Sequence, residues 1–202
     1  MPKGIYKVPP AKNEPVKNYA PGSPERDELK SVLAEMKSEV MDIPMIIDGK
    51  EVRTDNKIPM HPPHERKHLL GHFHRGDATH VQMAIDAALK AKKKWANMSW
   101  EHRASIFLKA ADLLAGPYRQ KLNAATMLAQ SKNAYQAEID SAAELIDFFK
   151  FNVQYMTEIY AQQPASAEGI WDRVEYRPLE GFVFALTPFN FTSIAGNLPS
   201  SP

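Results

Sequence analysis

Apolar and polar positions along this chain follow two rhythms, and the change between them falls near Asp77. Ahead of it, Leu29, Val32, Leu33 and Met36 sit at i, i+3, i+4 and i+7, the stripe of an amphipathic helix running to about Glu39. Ser23-Pro24-Glu25 provides its start: a capping hydroxyl, a proline at the first helical position and an acid near the positive end of the helix dipole. Met45–Val52 reads as a hairpin, because Asp48-Gly49 accepts the positive φ angles of a two-residue turn. Two proline-interrupted pieces, Ile58–Met60 and Leu69–His74, read as edge strands.

Beyond Asp77 the spacing is helical. Ala78–Trp95 places Val81, Ile85, Ala88 and Leu89 on one face, with Lys90 and Lys92–Lys94 near the negative end of the dipole. Lys92-Lys93-Lys94 before Trp95 is therefore read as a dipole-complementing helix end rather than a phosphate patch. A second helix starts at or just after Ser99, carries Ile106, Phe107, Ala110, Leu113 and Leu114, and ends at Gly116-Pro117. A third spans about Tyr118–Ala129. The most regular stripe is the fourth: Tyr135, Ile139, Ala142, Ile146, Phe149, Val153, Met156 and Tyr160 step by four and three, stopping before Pro164.

After Pro164 the rhythm alternates again. Trp171–Arg177 reads as a strand, Pro178–Gly181 as a turn, and Phe182–Leu186 as a buried strand that Thr187-Pro188 brings to an end. Thr192 or Ser193 offers a cap for a helix beginning at Ile194. The chain thus divides into an extended, proline-rich arm at 1–22, a helical and β part at 23–162, and the start of a new sheet at 163–202.

Composition narrows the field. Among 202 residues, 44% are hydrophobic and 24% charged, the balance of an ordinary globular chain. A net charge of +1 supplies no bulk electrostatic reason for a nucleic-acid or membrane partner, and no apolar run approaches the ~18 residues of a membrane span. Met1-Pro-Lys-Gly-Ile-Tyr-Lys has the pattern of neither a secretory signal nor a transit peptide. There is no cysteine, which removes disulfides, thiolate metal sites and a cysteine nucleophile. Five of the seven histidines fall between His61 and His74. His72 and His74 would share one face of a strand, yet with Pro62-Pro63 and Glu65-Arg66-Lys67 interleaved the group reads as a solvated edge, with no metal assigned.

The candidate chemistry lies at the end of the last strand. A strand that opens into a loop and then a helix is where open α/β sheets bind ligands. Asn190 sits there between Phe189 and Phe191, an amide suited either to donate to a developing oxyanion or to bond its own loop backbone. Glu144 is a carboxylate beside the apolar stripe of the long helix. With Glu138, Asp140 and Asp147 it otherwise forms a charged face, and Lys150, three residues beyond Asp147, is spaced to pair with it.

The segment Gly181–Asn197, with Pro188-Phe189-Asn190-Phe191 at its centre, resembles the aldehyde dehydrogenase superfamily. Asn13–Val16, Gly22–Asp27, Phe107–Asp112, Gln136–Asp140, Ala143–Phe149 and Leu179–Phe182 narrow the resemblance to its Δ1-pyrroline-5-carboxylate dehydrogenase family, from about Asn13 to the end. The resemblance implies an α/β class: the N-terminal part of an aldehyde dehydrogenase fold, helix-rich with small β elements, leading into the first strands of a Rossmann-like NAD-binding sheet. It implies NAD-dependent oxidation of L-glutamate γ-semialdehyde to L-glutamate in proline catabolism. Asn190 would be the side-chain oxyanion stabiliser. Thr187, Pro188 and Phe189 would contact the nicotinamide cofactor, with Thr187 a turn-satisfying threonine as the plainer alternative. Glu144 would pair with the substrate's α-ammonium group.

The family attacks with a cysteine thiolate, absent here, and binds the cofactor phosphates with a Gly-rich loop, also absent. The chain is therefore expected to be the N-terminal portion of a longer enzyme and inactive alone. A small aldehyde substrate, homo-oligomeric assembly and a bacterial cytoplasmic location, or the mitochondrial matrix if the source is eukaryotic, complete the implied picture. Two other readings stay open: a non-catalytic helical interaction module, and an aldehyde dehydrogenase of different substrate specificity.

Overall fold

Proline at the first helical position starts helix α1 (Pro24–Ser38) where expected, although the Ser23 hydroxyl makes no capping bond. The computed structural model describes residues 7–202; the first six positions of the expected arm lie outside the described residues. Residues 7–22 form neither helix nor strand. Their backbone is nonetheless fastened at regular intervals. Ala11 N–H donates to Gln154 Oε1 (2.7 Å), Glu14 N–H to Asp147 Oδ1 (2.6 Å) and Lys17 N–H to Glu138 Oε1 (2.8 Å). Rising numbers on the arm meet falling numbers on the helix, so the arm runs antiparallel to it. Prolines leave the arm few self-made hydrogen bonds, and helix side chains take the place of a strand partner.

Five short strands follow: β1 (Met41–Ile43), β2 (Met45–Ile47), β3 (Lys50–Val52), β4 (Lys57–Met60) and β5 (Gly71–His74). β2 and β3 form the hairpin expected from Asp48-Gly49, with φ of 53° and 72° at the two turn residues. The other three make a sheet in the order β1-β5-β4, with β1 parallel and β4 antiparallel to β5. β5 is thus the central strand, not an edge. β1, which has no signature in the sequence, covers it. Pro59 is tolerated because β4 is the edge. His74 is buried rather than solvated: its Nδ1 lies 2.7 Å from Thr54 N and its Nε2 lies 3.0 Å from Asp42 Oδ1.

The helices are α2 (Ala78–Ala96), α3 (Trp100–Ala115), α4 (Arg119–Gln130), α5 (Ala134–Ala137) and α6 (Glu144–Ala161). Asp77 and Ser99 cap α2 and α3 with their side chains. Between α5 and α6 the helix continues as a π-turn, Glu138–Ala143. Among the described residues two clusters make the core. Tyr19 of the arm, Leu29 and Met36 of α1, and Ala124 and Leu128 of α4 form one. Ala111 of α3, Ala142 of the π-turn, and Leu145, Ile146 and Phe149 of α6 form the other. α2 contributes to neither, and Val81 on its apolar stripe is 60% exposed.

The π-turn corrects the reading of the long helix. A residue inserted into a 3.6-residue period rotates the face by about 100°. Ala142, Ile146, Phe149 and Val153 are buried as the stripe requires, whereas Tyr135, ahead of the insertion, is 61% exposed. In its place Ala137, Glu138 and Ser141 turn inward.

The strands expected at Trp171–Arg177 and Phe182–Leu186 are not formed. Both segments carry no ladder, and Phe184 and Leu186 are exposed rather than buried. A strand exists only with a partner for its N–H and C=O groups, and no described strand lies alongside either segment. The helix expected from Ile194 is a single 3₁₀ turn, Ile194–Gly196. Among the described residues no helix is long and apolar enough to cross a membrane.

Candidate active site

The buried centre of the helical part is ionic. Glu138, fully buried, faces Arg119, which is 2% exposed. Arg119 Nε lies 3.1 Å from Glu138 Oε1, and its Nη2 donates to the same oxygen. Arg119 also reaches Glu14 Oε1 at 2.6 Å and the Pro15 carbonyl at 2.7 Å. The Tyr19 hydroxyl (2.7 Å) and the Asn123 amide (2.8 Å) donate to Glu138 Oε2. Burial alone would raise the Glu138 carboxyl; hydrogen bonds from Arg119, Lys17 N–H, Tyr19 and Asn123 outweigh it and hold the group below its ordinary range. Burial and then the Glu138 carboxylate push the Tyr19 hydroxyl upward. Glu138 is thus no member of a solvated acidic face: this network fastens the arm to α4 and the π-turn.

A second constellation gathers near the chain's C-terminal end. Ser131 takes a left-handed conformation (φ 57°) just after α4, and the chain turns to present Lys132. The Lys132 ammonium donates to Asp140 Oδ2 (2.6 Å) and to the Asn190 carbonyl (3.1 Å), and sits 4.3 Å from the centre of the Phe191 ring. Gln130 holds the same loop. With its amide oriented to suit its neighbours, it donates to the Asn190 carbonyl (3.0 Å) and accepts from the N–H groups of Phe191 (3.1 Å) and Thr192 (3.2 Å). One step further on, the Ser193 hydroxyl is buried against Ser141 of the π-turn, with the two Oγ atoms 2.8 Å apart. Thr126 of α4 donates to Ser141 Oγ at 2.8 Å. Ser193 therefore ties the loop down instead of capping a helix.

With its backbone held from one side, the loop turns side chains to the other. Asn190 is exposed, and among the described residues its amide makes no hydrogen bond. Thr187, Pro188 and Phe189 are exposed as well, Phe189 at 97%. Glu144, at the start of α6, is half-buried and without a hydrogen-bond partner among the described residues. Partial burial, then the charges of Asp140 and Asp147, raise its carboxyl above the ordinary value, with Lys132 opposing. Lys132 thus holds the loop that carries Asn190, and its charge and that of Asp140 act in opposite directions on Glu144. Lys132, Gln130 and Ser141 were invisible in the sequence, since each is a polar residue whose partner lies far along the chain.

A cleft of about 780 Å³ lies elsewhere among the described residues. Trp95, Arg103, Phe107, Tyr160, Tyr176 and Phe182 line it, and none of Glu144, Thr187 or Asn190 reaches it. Its walls include the unladdered segment around residues 176–183.

The sequence profile of the aldehyde dehydrogenase family matches residues 51–197, and the chain belongs to that family. The fold agrees: it is the N-terminal portion of an aldehyde dehydrogenase fold.

Among relatives, a Δ1-pyrroline-5-carboxylate dehydrogenase of Agaricus bisporus is 58% identical over 98% of this chain and 36% of its own length. The mitochondrial enzyme of the same name from Homo sapiens is 46% identical over 94% of this chain and 34% of its own. A crystal structure of the Mycobacterium tuberculosis Δ-pyrroline-5-carboxylate dehydrogenase, bound with NAD and cobalamin, superposes with a TM-score of 0.95 at 50% identity, covering 98% of this chain and 38% of that one. The chain thus spans little more than a third of the length of these relatives.

Proposed function

We propose that this chain forms the N-terminal part of an NAD-dependent aldehyde dehydrogenase that oxidises L-glutamate γ-semialdehyde, the open form of Δ1-pyrroline-5-carboxylate, to L-glutamate. The observation that carries the reading is the Asn190 loop. Its backbone is bound by Gln130 and Lys132 while the Asn190 amide stays unengaged among the described residues. A donor that need not break an internal bond, on a backbone that cannot drift, is pre-organised for charge that develops only in the transition state. The likeness to named Δ1-pyrroline-5-carboxylate dehydrogenases over almost the whole chain supports the substrate.

In this reading the Asn190 side chain donates to the aldehyde oxygen as a nucleophile attacks and negative charge builds there. The chain has no cysteine, so the thiolate comes from outside these 202 residues, and the isolated chain does not turn over. The Glu144 carboxylate pairs with the α-ammonium of the semialdehyde and orients the carbonyl towards Asn190. Thr187, Pro188 and Phe189 offer an uncovered hydroxyl and two uncovered apolar faces, a set that suits a flat nicotinamide ring. NAD, when bound, supplies the hydride acceptor. The whole enzyme is proposed to assemble as a homo-oligomer, in the mitochondrial matrix for a eukaryotic source.

The test is Asn190→Ala in the enzyme that joins this chain to the cysteine-bearing remainder of the fold. Loss of one oxyanion donor lowers kcat by roughly 10²–10³-fold. Semialdehyde binding should persist, and unchanged turnover would refute the role.

A further inference from the structure

Resting on that reading of Asn190, we propose that Lys132 is a positioning residue for the oxyanion donor, holding the Asn190 loop from behind through its carbonyl. The loop has no strand or helix of its own to fix it until the 3₁₀ turn at Ile194. The atom Lys132 binds is the backbone oxygen of Asn190 itself, at 3.1 Å, so the contact acts on the residue whose amide does the chemistry.

The ammonium is not free to swing. A second of its three N–H donors is spent on Asp140 Oδ2 at 2.6 Å, and its charge rests against the face of Phe191, 4.3 Å from the ring centre. Lys132 is largely buried, with its side chain 19% exposed. A charge-assisted bond in such a setting resists competition from water far better than a surface pair would. Asp140 lies in the π-turn, so the lysine couples the loop to the one segment of the long helix that departs from α geometry. Gln130 binds the neighbouring N–H groups, which sets the peptide planes but leaves the carbonyl of Asn190 shared with Lys132.

Lys132 touches no reacting atom in this arrangement. Its contribution passes through Asn190, and that dependence can be measured. In the joined enzyme, Lys132→Met keeps the stem and removes the charge. A displacement of about 1 Å at a reacting group can cost up to about a hundredfold in rate, so kcat should fall roughly ten- to a hundredfold with the KM for NAD unchanged. Lys132→Arg, which keeps a cation, should recover most of the loss.

The decisive arm is a double-mutant cycle. In an Asn190→Ala background Lys132→Met should change kcat by less than about twofold, because the donor it positions is gone. Equal effects in both backgrounds, or wild-type kcat for Lys132→Met, would overturn the proposal. Lys132→Gln serves in the cycle should Lys132→Met fail to fold. Asn190→Ala slow with Lys132→Met unaffected removes only the lysine's role. Unchanged turnover in Asn190→Ala alone removes the oxyanion reading itself, so the two failures are told apart.

Discussion

Arg119 and Glu138 meet beneath the surface with both side chains buried, Nε 3.1 Å from Oε1, across the join between α4 and the π-turn. The pair is the anchor of the N-terminal arm, since Arg119 also binds Glu14 and the Pro15 carbonyl, while Glu138 accepts from Lys17 N–H and Tyr19. A charge pair of this kind contributes to stability mainly through what happens when it is broken.

Arg119→Met leaves the Glu138 carboxylate buried without its counter-charge. Stability should fall by about 3–5 kcal/mol, measured as a shift of the urea midpoint. Arg119→Met combined with Glu138→Gln should recover a large part of that loss, because the second change removes the orphaned charge. A single variant as stable as the parent would show that the arm is held by other contacts.

Acid should loosen the same anchor. Glu138 and Glu14 both titrate below their ordinary value of 4.5: burial opposes this in each, and the bonds from Arg119, joined at Glu14 by Lys150, prevail. A carboxylate with a depressed value binds fewer protons folded than unfolded. Its stabilisation is therefore present above 4.5 and is lost as pH falls through the lower folded values. Urea midpoints taken from neutral pH to about pH 3 should drop steeply, and the Arg119→Met, Glu138→Gln pair should flatten the slope.

Glu144 has the opposite sign. Partial burial and the Asp140 charge raise its value above 4.5, so its protonated form is favoured in the folded state. That preference stabilises the fold below 4.5 and is lost as pH rises through the folded value. Glu144→Gln should accordingly leave stability at neutral pH unchanged or slightly higher. In the joined enzyme it should raise KM for the semialdehyde, and a drop in thermal stability with KM unchanged would assign Glu144 to the scaffold.

Gly71 is required both for a close contact and for its backbone, whose φ of 156° is one that L side chains rarely adopt. A Cβ there would collide with the Met41 carbonyl, on the strand that pairs directly with it. Gly71→Ala should force β1 away from β5 and cost on the order of 1–3 kcal/mol, the typical range for such local strain. Thermal unfolding checks it, with Gly49→Ala, where nothing lies within 4 Å, reporting turn strain without a clash.

Much of this architecture was legible in the linear order of residues. Helix starts at Pro24 and Ser99, the stop at Gly116, the Asp48-Gly49 hairpin and the stripe Ala142, Ile146, Phe149, Val153 all depend on neighbours within a few positions. So did the candidate site, in part: the amide between two phenylalanines is a local pattern, and it lies on an exposed loop with an unengaged side chain among the described residues.

Contacts made at long range decided the rest. The inward turn of Glu138 needed the π-turn, a one-residue change of period that no residue type announces. The partners Arg119, Tyr19 and Lys132 become visible only when the arm, α4 and the Asn190 loop are brought together. The segments Trp171–Arg177 and Phe182–Leu186 carry strand-forming residues yet make no strand, since pairing is a property of two chains of hydrogen-bonding groups and not of one. Local sequence thus determined where this protein can turn, cap and bury. Only the tertiary structure chose which charges face inward and which backbone is held, because both depend on desolvation and partners that no single segment supplies.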